Sequence, residues 1–301
     1  MEEGQGFVSV ADYINLPCPG GSWVLEDLLP IGGYLNIYGD PKAGKSMIAA
    51  QFAAAIATEG VHSVLGFPIR KHGVVAYFQL DTPRAIWQIR FRNLQRKGHK
   101  FDRVYIADKH RVKYPFNIQV GGRDELLEHI RKLPEWPLVV VIDTLRKVHD
   151  GDENSSSVMK HVVEQIELAT KPAGVILVSH AKKKGKDEEE NLVGDARGSS
   201  YIPGEMDANM KVDRGKFTFS SRTASEARYQ TKKASKDGEI VLNDAVFTEA
   251  LELVRRAGPE CEILDLLETL QKSERGKLKD EEQLVGTLQR ARSILELEGA
   301  A

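Results

Sequence analysis

Gly39-Asp40-Pro41-Lys42-Ala43-Gly44-Lys45-Ser46, with Met47 directly behind it, is the stretch on which the fold turns. The apolar run Gly33–Tyr38 leads into it, and the alanine-rich segment Met47–Thr58 follows. Two glycines five residues apart, closed by Lys-Ser, form a P-loop. A buried strand ends in a turn whose backbone N–H groups wrap phosphates, and the positive end of a helix faces the same anions. Residues 39–47 therefore read as a nucleoside-triphosphate site. Lys45 reaches the β- and γ-phosphates, and the Ser46 hydroxyl goes to Mg²⁺.

About a hundred residues downstream, Leu138–Ile142 is a run of apolar, mostly β-branched residues that ends in Asp143. Such a run reads as a central parallel strand, and Asp143 as the carboxylate that holds Mg²⁺ opposite Ser46. The next residue is Thr144 rather than a second acid, so a general base has to come from elsewhere. Val74–Leu80 is another buried strand, ending in Asp81-Thr82-Pro83. At the carboxyl end of a strand, where open α/β sheets bind ligands, Asp81 either activates the attacking water or caps the helix that starts near Pro83. Gly174–Val178 is a third strand, followed by Ser179-His180. His180 is placed to touch the γ-phosphate or the water, or is a hydrogen-bonded surface residue.

Between these strands the spacing predicts three helices. Arg84–Lys97 has Ile86, Ile89 and Leu94 in helical register; Arg123–Leu133 has Leu126, Leu127 and Ile130; Ser156–Ala169 has Val158, Val162, Ile166 and Leu168. The basic loop Lys109–Asn117 carries Tyr114 and Phe116, a mixture suited either to nucleic-acid contact or to a solvated rim. Ala181–Asn191 reads AKKKGKDEEEN. Lys182, Lys183, Lys184 and Lys186 would neutralise DNA phosphates if this loop faced a nucleic-acid channel, whereas its acidic half fits a solvated loop equally well. Arg197, flanked by small residues in Gly194–Ser200, is the kind of exposed arginine that reaches a neighbour's phosphate in trans. Residues 208–243 alternate as an antiparallel meander, and three amphipathic helices close the chain. The sequence thus divides into a lead-in (1–32), an α/β nucleotide-binding domain (33–243) and a helical appendage (244–301) suited to subunit packing or DNA contact.

Composition narrows the setting. The chain has 301 residues, a formal net charge of −2 and two cysteines, Cys18 and Cys261, far apart. That excludes a disulfide framework and a bulk basic signal for nucleic acid, so any such contact must be local. No stretch is apolar enough for a membrane span, and a cytoplasmic protein is expected.

Six motifs in order resemble the RepA-like ATPases of the RecA-like P-loop group, which includes plasmid and phage replication proteins. They are Leu28–Gly33, the P-loop, the Walker B run 138–148, the segment 151–162, the strand 175–183 and the turn Gly194–Ser200. The resemblance implies a RecA-like core with a mostly parallel sheet, an antiparallel extension and a small helical C-terminal appendage. It also implies an ATP- and Mg²⁺-dependent ATPase acting on single-stranded DNA in replication or recombination, as a helicase or an annealing enzyme, assembled as a hexameric ring. On that pattern His180 stands at the sensor position, Arg197 is the trans arginine and residues 181–195 face the pore. Two departures stand out. Relatives carry Glu-Asp after the second strand where this chain has Leu80-Asp81, and many have a second histidine where it has Ser179. An ATP-binding switch with little turnover, recruiting a replication partner, is the alternative these departures leave open.

Overall fold

Strands buried on both faces have to lie in the middle of a sheet covered by helices on either side. The computed structural model, which describes residues 8–16, 23–113, 116–181, 201–224, 226–233, 239–258, 261–273 and 280–299, has that form. A short exposed helix α1 (Val10–Tyr13) and a hairpin of β1 (Trp23–Leu25) and β2 (Leu29–Pro30) precede β3 (Tyr34–Tyr38) and α2 (Lys45–Ile56). A second hairpin, β4 (Ser63–Val64) and β5 (Phe67–Pro68), leads to β6 (Val75–Gln79), α3 (Arg84–Arg96), β7 (Val104–Asp108) and α4 (Arg123–Arg131). Then come β8 (Val139–Asp143), α5 (Ser156–Thr170), β9 (Gly174–Val178) and α6 (Tyr201–Glu205). The meander is β10 (Ala208–Asp213), β11 (Lys216–Ser221), β12 (Ala227–Lys233) and β13 (Ile240–Leu242). Three helices follow, α7 (Ala245–Ala257), α8 (Ile263–Lys272) and α9 (Glu281–Gly299).

Nine strands form one sheet in the order β13-β12-β11-β10-β3-β9-β8-β6-β7. From β10 to β7 every pairing is parallel, and from β10 to β13 every pairing is antiparallel. Alternate residues feed two cores. Val75, Tyr77, Val139, Val141, Ile176 and Val178 pack with α2 on one face. Ala76, Phe78, Val140, Ile142, Val175 and Leu177 pack with α4 and α5 on the other. Helix α2 is buried on all sides, which explains its alanines, and its one interior amide, Gln51, is satisfied by both backbone groups of Ile240 at 2.8 and 2.9 Å.

The structure corrects three local expectations. Ile86 and Ile89 are 43% and 52% exposed; α3 instead buries Trp87 and Leu94, with Phe91 half-buried between them. These residues stand at i, i+4 and i+7, the narrow stripe that a helix over the last strands of a sheet can bury. In α5, Leu168 is 62% exposed, and Met159 and Val163 join Val162 and Ile166 on the buried side. Phe116 is in the second core, so it has no face to offer a nucleic-acid base, and Tyr114 lies outside the described residues.

The C-terminal helices build a small core of their own from Val246, Ala250, Val254, Leu267, Leu270, Leu284, Leu288 and Ala291. Asp244 caps α7, accepting from the N–H groups of Val246 and Phe247 at 3.1 and 3.0 Å. Helix α9 also joins the main body. Ile294 enters the α2-side core, and the buried Arg290 binds Asp27 at 3.1 Å and the Tyr229 hydroxyl, while Ser293 donates to Glu26 at 2.7 Å. No helix among the described residues is long and apolar enough to cross a membrane.

Candidate nucleotide-binding site

Parallel strands bring their carboxyl ends to one edge, and the loops leaving β3, β9, β8 and β6 meet there side by side. The Gly39–Ser46 loop leaves β3 at a point where only glycine fits. Gly39 (φ 149°) lies so close to β10 that a Cβ would sit 2.2 Å from the Val212 carbonyl oxygen. Gly44 (φ 117°) caps α2 without a side-chain acceptor, and the first turn carries no acid. The helix therefore presents its positive end uncovered to the loop, the arrangement that binds phosphate. Asp40, Pro41 and Lys42 are exposed on the rim, whereas Ala43 and Met47 are buried beneath it.

Lys45 is only 5% exposed, and its ammonium donates to the carbonyls of Gly39 and Asp40, both at 2.8 Å. Burial pushes its pKa down to about 8, against the pull of the Asp143, Asp40 and Asp81 carboxylates. A buried cation held by carbonyls, with its carboxylates at a distance, is matched to an arriving phosphate.

Asp143 ends β8 and is 1% exposed. Its Oδ1 accepts from Ser46 Oγ at 3.1 Å and its Oδ2 from the Tyr77 hydroxyl at 2.9 Å. Burial lifts its pKa to about 6, the Tyr77 and Ser46 hydrogen bonds oppose that rise, and Asp81 adds to it. Among the described residues no three His, Cys, Asp or Glu side chains gather into a metal cage. One hydroxyl beside one carboxylate is instead the hard-oxygen pair that suits Mg²⁺, which keeps waters and takes its other ligands from substrate phosphates. The residues present fit that ion.

Asp81 leaves the end of β6, the strand beside β8, and its charge is felt by both Asp143 and Lys45. It is 44% exposed and lies 3.7 Å from the Lys147 ammonium. The N-cap of α3 is Pro83, whose ring offers no acceptor to that helix. His180 follows β9, half-buried, and the next residue, Ala181, donates its N–H to the Gly39 carbonyl at 3.2 Å. Ser179 turns away: it is buried and donates to Asn36 at 2.8 Å, in a polar chain that continues to Asn209. Lys45, Ser46, Asp81, Asp143 and His180 are thus brought to one edge. Arg197, Lys182, Lys183, Lys184 and Lys186 lie outside the described residues, as does the turn expected at 194–200.

Sequence reading passed over Tyr77, Arg90 and Lys147. Tyr77 looks like one more aromatic in a buried run, and only strand order aims its hydroxyl at Asp143. Arg90 stacks on Trp87 at 5.2 Å and its charge also reaches Asp143.

This fold and site define a RecA-like P-loop ATPase. Residues 4–186, more than half of the chain, match the family model described as AAA domain, and the chain belongs to that family. Among solved structures it is similar to a DnaB-like replicative helicase described with its interactions with primase, at 13% identity and a TM-score of 0.53. That match covers 77% of this chain, which spans 66% of the helicase's length. It is also similar to a second solved structure, described as an ATPase domain, at 14% identity and a TM-score of 0.51, over 70% of this chain and 84% of that one.

Proposed function

We propose that the protein is a Mg²⁺-dependent ATPase acting on single-stranded DNA in replication or recombination, assembled with copies of itself as a ring. The observation that carries the reading is the Ser46–Asp143 pair, 3.1 Å apart, at the mouth of the P-loop and with Asp81 within electrostatic reach. Residues 39–47 hold the phosphates, and Ser46 and Asp143 hold Mg²⁺. When bound, the ion offsets charge on the phosphate oxygens. Lys45 gives up its loop carbonyls for the β- and γ-phosphates. Asp81 takes a proton from water as the water oxygen bonds to the γ-phosphorus and the bond to the β–γ bridging oxygen breaks, so ADP and phosphate leave. His180 contacts the γ-phosphate end, and Arg197 from an adjacent subunit balances the charge that develops there. DNA meets Lys182, Lys183, Lys184 and Lys186. The DnaB-like helicase similarity supports the replication setting, and a cytoplasmic location is in keeping with it.

A specific observation favours a second reading, an ATP-binding switch of low turnover. Asp81 is one methylene shorter than glutamate, and the Lys147 ammonium, 3.7 Å away, competes with water for its carboxylate.

Steady-state ATPase rates with and without single-stranded DNA separate the two, with Lys45→Ala as the blank. A DNA-stimulated rate that Asp81→Asn lowers about a hundredfold or more, with ATP still bound, is the expected result. Tight ATP binding with negligible turnover in both conditions would establish the switch instead.

A further inference from the structure

Tyr77 is fully buried in the middle of β6, two residues before the strand ends. A buried phenol seeks a partner for its hydroxyl, and this one donates to Asp143 Oδ2 at 2.9 Å, with the Ser46 carbonyl oxygen farther off at 3.4 Å. The other oxygen of the same carboxylate, Oδ1, faces the Ser46 hydroxyl. The two oxygens are therefore unequal before any ligand arrives: one is committed to the sheet, and one stands beside the serine hydroxyl. The ring cannot easily swing. Trp87 meets it edge-on at 5.4 Å and Phe91 at 6.4 Å, both from α3, and Phe101 backs Phe91 at 4.9 Å.

We propose that Tyr77 is a positioning residue for the divalent cation: it locks the Asp143 carboxylate so that Oδ1 and Ser46 Oγ form a ready oxygen pair. This rests on the nucleotide-site reading above. A carboxylate held at one oxygen has lost its rotation in advance, so the cation need not supply the free energy of ordering it.

The test uses the full chain and titrates ATPγS binding against Mg²⁺, with a parallel series in EDTA. Tyr77→Phe keeps the ring and deletes only the hydroxyl; Trp87→Phe loosens the packing and leaves the hydroxyl in place. Tyr77→Phe is expected to raise the Mg²⁺ concentration for half-maximal ATPγS binding about tenfold or more and to leave the EDTA affinity unchanged. Mn²⁺ binding followed by electron paramagnetic resonance should weaken by a similar factor, and Trp87→Phe should retain the wild-type midpoint. A wild-type midpoint in Tyr77→Phe, or an equal shift in Trp87→Phe, overturns the proposal and leaves Tyr77 as packing. Wild-type ATPγS binding indifferent to both Mg²⁺ and Lys45→Ala would instead overturn the nucleotide-site reading, and the cation role with it.

Discussion

Lys45 shows how a single residue carries opposed demands. Its motif position and the proposed function ask it to bind phosphate, and the fold buries it, at a cost visible in a pKa pushed down to about 8. The folded chain therefore binds fewer protons than the unfolded chain between about pH 8 and the ordinary lysine value. Stability from this group rises with pH in that window, and below it the full cost of the buried cation is present. Lys45→Met should stabilise the ligand-free protein at pH 7 by something on the order of 2 kcal/mol, and the gain over wild type should shrink as pH climbs from about 8 towards 10. Differential scanning calorimetry at both ends of the range checks this, and a constant difference would show that burial is not the cause. The role of Lys45 is readable from its neighbours in sequence; its strained titration is not, because desolvation depends on what packs around α2.

At the scale of elements, the P-loop works because β3, its loop and α2 are wedged against β10. A methyl group on Gly39 would meet the Val212 carbonyl at 2.2 Å, and a backbone atom in a central strand cannot yield. Gly39→Ala is expected to cost about 3 kcal/mol and to abolish ATPγS binding. Gly60→Ala, also at positive φ (81°) but with nothing within 4 Å, should cost about 1 kcal/mol and bind normally. Thermal melts and ATPγS titrations of the two variants make the comparison. The strands were legible from their unbroken apolar runs, since a strand buried on both faces has no polar alternation to disguise it. Helix α3 was less so. Ile86 and Ile89 fit a helical period as well as Trp87 and Leu94 do, and only the position of α3 over β6 and β7 selects which stripe is buried.

Over the whole molecule, the C-terminal helices are joined to the ATPase body by Arg290, which is 2% exposed and spans α9, Asp27 and Tyr229. Asp27 belongs to the β1–β2 hairpin, so that hairpin and α9 are tied together beside the nine-stranded sheet. Burial raises the Asp27 pKa despite the pull of the guanidinium, so the carboxylate relies on its partner. Arg290→Ala should destabilise by about 3 kcal/mol, because it takes the guanidinium from a partly buried carboxylate and two N–H donors from the buried Tyr229 hydroxyl. Amide exchange should accelerate in α9 before it does in β8. Exchange that rises uniformly would show that the helices do not open as a separate unit.

From its sequence alone this chain declares a P-loop, a Walker B strand, most of the strands and helices of its central sheet, and its three closing helices, though not the β1–β2 and β4–β5 hairpins or α6. These are local statements: a loop of eight residues or a run of five has a geometry set by its own spacing. Only tertiary structure decides that Asp81, Asp143 and His180, at or just past the ends of three different strands, open onto one edge, that Ser179 turns inward to Asn36, and that the Tyr77 hydroxyl donates to Asp143. Those pairings join residues tens to about a hundred positions apart or more, and they depend on strand order and register, which no local period encodes.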